Sequence, residues 1–338
     1  MDPLTKGGTI VPPFTEGKEK KKSGAFRFGI MGAGNIAVQF CDAVRHVQGA
    51  QVAAVACKDP ARAAAFVEKN GIQETCSYEA LVRRSDIDAV YIATTHNFHY
   101  ENLKLCLSHG KHVLCEKSMV ESSARAREIC ALAEKNRLFL MEALWSRFLP
   151  HINRAKAWIE EGKIGTPQMG YMDIGFRAAP DMENRINNPS LGGGAALDLS
   201  VYPISIMSYL LGDRIDAFQA MASHLDNGVD KVNNIAMRIG GCIVNAQAIT
   251  TAKLPEAAYI YGTEGYIKIP EAHRSDECTL FREGEAPLTF KAPYENGFVG
   301  EIEETIRCVR AGKLESSVMP HASTIRCAEI FDQIFDRG

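Results

Sequence analysis

The most constraining feature of the chain is an apolar run at 26–31 that ends directly in a glycine-rich turn, after which a helical pattern begins. A strand, a tight turn and a helix N-terminus in that order make an anion site, because the unpaired N–H groups of the helix face the ligand. Gly32 permits the turn, and Gly34 lets the backbone approach a pyrophosphate closely. We therefore predict a dinucleotide site contacted by Gly32, Gly34, Asn35 and Ile36. A GxG match without this context would indicate only a turn.

The composition is that of a soluble globular protein, and it argues against several functions. With 338 residues the chain is long enough for two domains. A net charge of −3 and a pI near 6.3 argue against a nucleic-acid surface. No apolar run reaches the roughly 20 residues that span a bilayer. None of the ten cysteines forms a C-x-x-C pair, so we expect a cytoplasmic protein without a metal site.

The apolar patterns predict a flexible extension at 1–24, rich in Gly, Pro and Lys, followed by two domains. From 25 to 147 strand and helix patterns alternate with short loops, which predicts an α/β domain with a doubly wound parallel sheet of the Rossmann type. The predicted strands are 26–31, 51–57, 88–93, 111–115 and 137–141, and the predicted helices are 35–47, 60–69, 98–108 and 122–135. Because ligands bind such sheets at the carboxyl ends of the strands, these ends are where we expect chemistry.

The second predicted domain, 148–338, has a different pattern. Strand-like runs follow one another without helices between them, which predicts an α+β domain with a mostly antiparallel, open sheet. The predicted strands are 168–176, 214–223, 230–239, 242–250, 257–261, 265–269 and 278–282, and the predicted helices are 149–161, 199–211, 297–311 and 321–335.

The end of the second predicted strand indicates which cofactor is bound. NAD-binding folds often place Asp or Glu there, about 20 residues after the glycines, to hold the ribose 2′-hydroxyl. In this chain the cation Lys58 occupies that position, and Asp59 follows it. A cation attracts the 2′-phosphate that a carboxylate would repel, so we predict NADP rather than NAD. The alternative is a solvated Lys58 beside a helix cap at Asp59.

Two charged residues follow the predicted strand 111–115. Lys117 lies where the nicotinamide is expected, and a Lys there can donate to a substrate oxygen or lower the pKa of a neighbouring acid–base group. Glu116 could hold this Lys or the nicotinamide ribose. The alternative interpretation is a surface ion pair at a strand end, which contributes little.

A glycine triplet at 192–194 precedes a carboxylate and a phenol at helical spacing. Asp198 and Tyr202 are four residues apart, so on a helix they share one face and could both reach one substrate hydroxyl. Pro203 requires that this helix has only just begun. The alternative is a capping Asp and a core Tyr.

Thr94, His96 and His99 follow the predicted strand 88–93. The His-x-x-His spacing offers no third ligand, so we expect the histidines to bond to backbone or cofactor rather than to a metal.

Together these segments resemble the glucose–fructose oxidoreductase, inositol dehydrogenase and MocA family over nearly everything from residue 25 onwards. Residues 110–117 fit the family motif Gly-Lys-His-Val-Leu-x-Glu-Lys-Pro except at its last position, where this chain has Ser118. The segments 141–148 and 192–202 are similar to the branch of dimeric trans-dihydrodiol dehydrogenases and NADP-dependent D-xylose dehydrogenases. The turn at 262–265 and the segment at 315–320 are also similar to those of the family.

The resemblance implies an NADP-dependent oxidoreductase that moves a hydride between nicotinamide and the CH–OH group of a sugar or vicinal diol. Its catalytic Lys, Asp and Tyr correspond here to Lys117, Asp198 and Tyr202, with the phenol handling the proton. Further residues are assigned to the cofactor or to the substrate. For the cofactor these are Lys58, Thr94, His96, His99, Glu116 and Arg147, and for the substrate Trp145 and Arg185.

The resemblance also implies a homodimer formed through the open sheet, whose outer face would otherwise expose apolar area. The usual Thr-Pro-Asn after the fourth strand is replaced by Thr-Thr-His at 94–96, which leaves the substrate open. Two alternatives therefore remain. One is a dehydrogenase of the same family for an inositol or amino sugar, and the other is a non-catalytic regulator that senses NADP.

Overall fold

The protein contains two β-sheets, seen in a computed structural model that describes residues 24–181 and 184–335. The first sheet has six parallel strands in the order β3-β2-β1-β4-β5-β6. These strands are Phe26–Met31 (β1), Ala50–Ala56 (β2), Thr75–Cys76 (β3), Ala89–Ile92 (β4), His112–Glu116 (β5) and Leu140–Ala143 (β6). The helices between them are Asn35–Arg45 (α1), Pro60–Asn70 (α2), Tyr78–Arg83 (α3), His96–Ser108 (α4) and Ser123–Lys135 (α5).

The central strands of this sheet are buried on both faces. All four residues of β4 are buried, and so are five of the six in β1. Helices cover both faces of a parallel sheet, which is why its strands are continuous apolar runs rather than alternating ones. The strand order reverses between β1 and β4, and the crevice at such a switch point is the usual ligand site.

The second sheet has eight strands in the order β14-β13-β12-β11-β7-β10-β9-β8. They are Pro167–Gly175 (β7), Ile215–His224 (β8), Asp230–Ile239 (β9), Cys242–Ile249 (β10), Ala258–Gly262 (β11), Gly265–Ile269 (β12), Glu277–Arg282 (β13) and Leu288–Lys291 (β14). Neighbours are antiparallel except β7 and β10, which are parallel. The helices of this half are Pro150–Glu160 (α6), Val201–Leu211 (α7), Val299–Arg310 (α8) and His321–Ile334 (α9).

The predicted fold class, a doubly wound parallel sheet followed by a mostly antiparallel one, is confirmed. Three elements were not predicted, namely β3, α3 and β14, which have two, six and four residues. Elements this short carry too few residues for a periodic pattern. The predicted extension at 1–24 lies outside the described residues except for its last position.

The C-terminal helix α9 packs against both halves of the protein. It contacts α5 beside the first sheet and β8 in the second. Two hydrogen bonds join β6 to this last part of the chain. Leu140 N donates to the backbone oxygen of Leu314, before α9, at 3.0 Å, and Thr324 Oγ1 of α9 donates to Glu142 Oε2 at 2.7 Å. The end of the chain therefore holds the edge strand of the first sheet to the second half.

One helical stretch of the described chain, Pro189–Leu211, is long and apolar enough to cross a membrane by length and composition. Inside the protein, 94% of its apolar window is buried. A helix that is apolar all round and covered by protein is typical of a domain core.

Candidate active site

The glycine turn after β1 has the geometry of a dinucleotide site. Gly32 has φ +106°, and a Cβ there would lie 2.6 Å from the backbone oxygen of Ala93, so only glycine fits. Gly34 immediately precedes α1, and a Cβ placed on it would have no neighbouring atom within 4 Å, so its surface is open. The N-terminus of α1 therefore faces open space beside a backbone that a phosphate can approach.

A cavity of about 590 Å³ lies at the carboxyl ends of the parallel strands, beside this turn. Most of the residues predicted for the cofactor, the chemistry or the substrate line it. They are Gly32, Gly34, Asn35, Ile36, Lys58, Thr94, His96, Glu116, Lys117, Arg185 and Asp198. The structure thus brings together side chains from five separate segments of the sequence at the switch point of the sheet.

Two cationic side chains line the end of the cavity that is next to the carboxyl end of β2. Lys58 Nζ lies 4.1 Å from the ring centroid of Phe98, and Arg62 also lines the cavity. Asp59 serves as the cap of α2, since its Oδ1 accepts from Arg62 N at 3.1 Å. Sequence reasoning missed Arg62 and Tyr78 at this end of the cavity. Arg62 lies in the first turn of α2, four residues after Lys58, and this closeness in the sequence was the available signal.

Lys117 and Asp198 form the central ion pair of the site. Lys117 Nζ is 3.4 Å from Asp198 Oδ1 and donates to Asp198 O at 2.9 Å. Arg185 also donates to Asp198 Oδ1, at 2.9 Å. Burial by itself raises the pKa of Asp198, but Lys117 and Arg185 outweigh it and hold that pKa below its ordinary value. Asp198 is therefore an anion between two cations.

The side chain of Lys117 is charged. Burial lowers its pKa, but Tyr202 and Asp198 outweigh burial and raise it above the ordinary value. The ammonium lies 4.9 Å from the ring centroid of Tyr202. The predicted meeting of Lys117, Asp198 and Tyr202 is therefore seen in the structure.

Tyr202 lies behind Lys117 in a buried position, 8% exposed. Trp145 Nε1 donates to its hydroxyl at 3.2 Å. Burial raises the pKa of the phenol, and Lys117 and the Trp145 bond act in the opposite direction without reversing it. Lys117 thus favours the phenolate as expected, but burial outweighs this effect and the phenol stays protonated at neutral pH.

A wide helical turn positions Asp198 and Tyr202. Residues Ala196–Ser200 form a π-helical turn that leads into α7, whose third residue is Pro203. Proline has no N–H and its ring crowds the preceding turn of a regular helix, so a wider turn in front of it relieves both problems. This explains how a proline follows Tyr202 inside a continuous helical stretch.

Glu116 is buried under the cavity. Its carboxylate accepts from the hydroxyl of Tyr91 and from Lys117 N at 3.3 Å. Burial raises its pKa to about 7, although the bond from Tyr91 and the charge of Lys117 lower it. The Lys117 ammonium pairs with Asp198 rather than with Glu116.

The two histidines after β4 have different positions. His96 lines the cavity, with its ring nitrogens 2.8 Å from Gly192 O and 3.1 Å from Lys117 O. Burial lowers the pKa of His96 to about 3, so its ring is neutral. A Cβ on Gly192, which has φ +69°, would lie 2.7 Å from His96 Cβ, so the glycine loop is needed for this close packing.

His99 does not line the cavity and is 1% exposed. Its ring nitrogens face the backbone oxygens of Ser118, at 3.0 Å, and Thr94, at 3.0 Å. The predicted direct contact between His99 and the cofactor is therefore corrected. His99 supports the backbone behind Lys117, where the Lys117–Ser118 peptide bond is cis and Ser118 Oγ donates to Leu197 O at 2.8 Å.

The predicted cofactor contact of Arg147 is wrong. Its side chain is fully buried and points away from the cavity into the second half. The guanidinium donates to Ser205 Oγ at 2.7 Å and to Val318 O at 2.8 Å, and it pairs with Asp213 at 2.9 Å. Arg147 therefore joins α7 to the chain before α9 and has no free donor for a phosphate.

Comparisons with known proteins show what the chain is similar to. The family described as "Oxidoreductase family, NAD-binding Rossmann fold" matches residues 26–144, and "GFO/IDH/MocA C-terminal domain" matches residues 152–268. A trans-1,2-dihydrobenzene-1,2-diol dehydrogenase from Danio rerio is 34% identical over 322 residues, covering 91% of this chain and 96% of that protein. The chain belongs to the GFO/IDH/MocA oxidoreductase family. The resemblance found in the sequence is thereby confirmed, and the protein is an oxidoreductase.

Two further similarities extend the comparison. A D-xylose 1-dehydrogenase (NADP(+)) from Hypocrea jecorina is 29% identical over 363 residues, covering 92% of each chain. The crystal structure of KijD10, a 3-ketoreductase from Actinomadura kijaniata in complex with NADP and TDP-benzene, superposes with a TM-score of 0.83. At 24% identity over 92% of this chain and 97% of that chain, the second similarity concerns the fold.

Proposed function

We propose that the protein is an NADP-dependent oxidoreductase that transfers a hydride between the nicotinamide and the CH–OH carbon of a sugar or vicinal diol. One observation carries this proposal. A charged lysine, a carboxylate and a protonated phenol meet beside a dinucleotide cavity, with Lys117 Nζ 3.4 Å from Asp198 Oδ1 and 4.9 Å from the ring centroid of Tyr202. Acid–base groups and a cation at the carboxyl edge of a Rossmann sheet are what alcohol–carbonyl interconversion requires.

The residues of the cavity fit a nicotinamide dinucleotide. Gly32 and Gly34 leave backbone surface for a pyrophosphate at the start of α1. Lys58 and Arg62 would hold a 2′-phosphate, and Glu116 would accept from a ribose hydroxyl. NADP is also the cofactor in the name of the Hypocrea jecorina relative. When bound, the cofactor supplies the carbon that gives or takes the hydride.

The side chains of this chain handle the proton and the charge on oxygen. In the reducing direction, Tyr202 donates its proton to the substrate oxygen, while the Lys117 ammonium stabilises the negative charge that develops there. In the oxidising direction, Tyr202 accepts the proton of the substrate hydroxyl. Asp198 keeps Lys117 oriented by the contacts at 2.9 and 3.4 Å. The raised pKa of Tyr202 suits the phenol to proton donation at neutral pH.

A substrate panel tests this function. Oxidation of D-xylose, a trans-dihydrodiol, myo-inositol and an amino sugar is followed by the absorbance of NADPH or NADH. We expect turnover with NADP⁺ of the aldose or the diol. If only the inositol or the amino sugar is turned over, the protein is a dehydrogenase of the same family with a different substrate class. Tight NADPH binding without any turnover would favour the NADP-sensing regulator.

We also propose a homodimer formed through the outer face of the second sheet. Met169, Ile243 and Tyr261 are exposed there, and Met169 on β7 lies opposite Ile243 on β10 and opposite Tyr261 on β11. Met221 is 69% exposed on β8. Large apolar side chains in register on an uncovered sheet are typical of a protein–protein interface.

A further inference from the structure

A histidine that is absent from the proposed mechanism lies beside Tyr202. His273 is in the turn between β12 and β13, and its ring centroid is 5.2 Å from that of Tyr202. The turn is held firmly, because Ala272 N donates to Glu256 O at 2.7 Å and Ala272 O faces His151 Nε2 at 3.0 Å. His273 is therefore held in a fixed position next to the phenol of Tyr202.

A buried carboxylate lies near His273. Glu256 is 4% exposed, and its Oε2 lies 3.9 Å from His273 Nδ1. The same carboxylate pairs with Lys253 and with Arg274 at 3.1 Å. A carboxylate near one ring nitrogen favours the tautomer with the proton on that nitrogen, which makes the other nitrogen an acceptor. Glu256 is thus placed to orient the imidazole.

The imidazole of His273 has unused hydrogen-bonding capacity. Nδ1 is buried without a hydrogen-bond partner among the described residues, and the side chain as a whole is 13% exposed. Burial lowers the pKa of His273 to about 3, and the charges of Arg274 and Lys117 act in the same direction. A neutral imidazole offers one donor and one acceptor, and a polar group left unpaired in a buried position calls for an explanation.

We propose that His273, positioned by Glu256, hydrogen-bonds a second hydroxyl group of the substrate and thereby selects a polyhydroxylated sugar over a diol that carries only apolar carbon at that place. This inference rests on the proposed function and names the substrate class within it. A site built to bond a hydroxyl discriminates strongly against an analogue that lacks it, because the buried polar group is then left unpaired.

The test compares D-xylose with trans-1,2-cyclohexanediol, which keeps a vicinal diol on a six-membered ring and lacks the remaining hydroxyls. We expect His273→Phe to lower kcat/KM for D-xylose by about 30-fold or more, mainly through KM, and to change that of the diol by about 3-fold or less. Glu256→Gln acts in the same direction with a smaller effect. The affinity for NADPH stays unchanged in both. His109→Phe, at an exposed position after α4, is the matched control.

An equal loss with both substrates, or an unchanged ratio between them, would overturn the inference. Failure of the unaltered protein to turn over either compound is a failure of the proposed function, so a binding measurement is made independently. Xylitol is titrated by calorimetry into the complex with NADP⁺. A loss of affinity of about 10-fold or more in His273→Phe supports the inference. Equal affinity in both proteins, or no binding to the unaltered protein, contradicts it.

Discussion

Lys117 Nζ lies 2.9 Å from the backbone oxygen of Asp198 and 3.4 Å from its Oδ1, although the two residues come from different halves of the protein. Lys117 follows β5 of the parallel sheet, whereas Asp198 is in the wide turn before α7. Both side chains are largely buried, at 14% and 12% exposure. A pair with this little solvent around it exerts a stronger field on a substrate oxygen than a surface pair would.

Replacing Lys117 by Met removes the ammonium and keeps the length of the side chain. We expect kcat to fall by about 100- to 1000-fold, because the negative charge that develops on the substrate oxygen is no longer compensated. The Kd for NADPH, measured by fluorescence, should stay within about 2-fold. Lys135→Met, at an exposed position near the end of α5, is the control. Full activity of Lys117→Met would refute the role given to this residue.

The raised pKa of Tyr202 determines the pH dependence of the two directions. Reduction needs the protonated phenol, so titration of Tyr202 should leave its rate constant near neutral pH and lower it only as pH rises past 10. Oxidation needs the phenolate, so its rate should rise over the same alkaline range. Tyr202→Phe should lose about 100-fold or more in kcat and lack this alkaline limb. Profiles of kcat/KM from pH 6 to 10.5 measure both, and an unchanged limb in the variant would assign it to another group.

The two cationic side chains after β2, Lys58 and Arg62, should determine the preference for NADP over NAD. Lys58→Ala and Arg62→Ala should each weaken NADPH binding by about 10- to 100-fold, since each removes one charged hydrogen bond to the 2′-phosphate. NADH has no such phosphate, so its affinity should be unaffected. Lys69→Ala, an exposed position on α2, serves as the control. If both variants keep the NADPH:NADH preference of the unaltered protein, this part of the cavity does not hold the phosphate.

Arg147 should matter for stability and not for the cofactor. Arg147→Met leaves Asp213 without its buried partner, which should lower the free energy of unfolding by about 3 kcal/mol in urea denaturation. NADPH affinity, measured in the fraction that stays folded, should not change. Arg310→Met, exposed at the end of α8, should have little effect on stability. A variant that is stable but has lost NADPH affinity would restore Arg147 to the cofactor site.

The outer face of the second sheet should control oligomeric state. Ile243→Lys places a charge in the exposed apolar row, opposite Met169. We expect the mass measured by light scattering to fall from that of a dimer to that of a monomer, because burying an unpaired ammonium is costly. Lys268→Met, on β12, leaves the row apolar and should remain dimeric. A monomeric unaltered protein would contradict the proposal directly.

Most of the fold could be predicted from the sequence because the strands of the parallel sheet are apolar runs, the longer strands of the second sheet alternate, and the helices have a clear period. The glycine turn was predictable for the same reason, since a buried strand and an amphipathic helix flank it. The meeting of Lys117 with Asp198 and Tyr202 was inferred from the family resemblance and is seen in the structure. Those residues are separated by about 80 positions, and no local pattern indicates their contact.

The remaining errors concern the direction of side chains. Arg147 belongs to a familial segment beside the site, but the short helical turn that carries it directs the guanidinium into the second half. His99 is one helical turn from His96, yet only His96 faces the cavity. His273 was not singled out, because its approach to Tyr202 depends on a turn 71 residues further along the chain. Periodicity assigns a residue to an element, while the packing of that element decides what its side chain touches.

The return of the chain through α9 to the edge of the parallel sheet limits how this protein can be divided. A fragment ending near residue 147 would lose the bonds that Leu314 and Thr324 make with Leu140 and Glu142. Its last strand would then present open hydrogen-bonding groups, which favour self-association. The nucleotide-binding half, expressed alone, is therefore expected to aggregate.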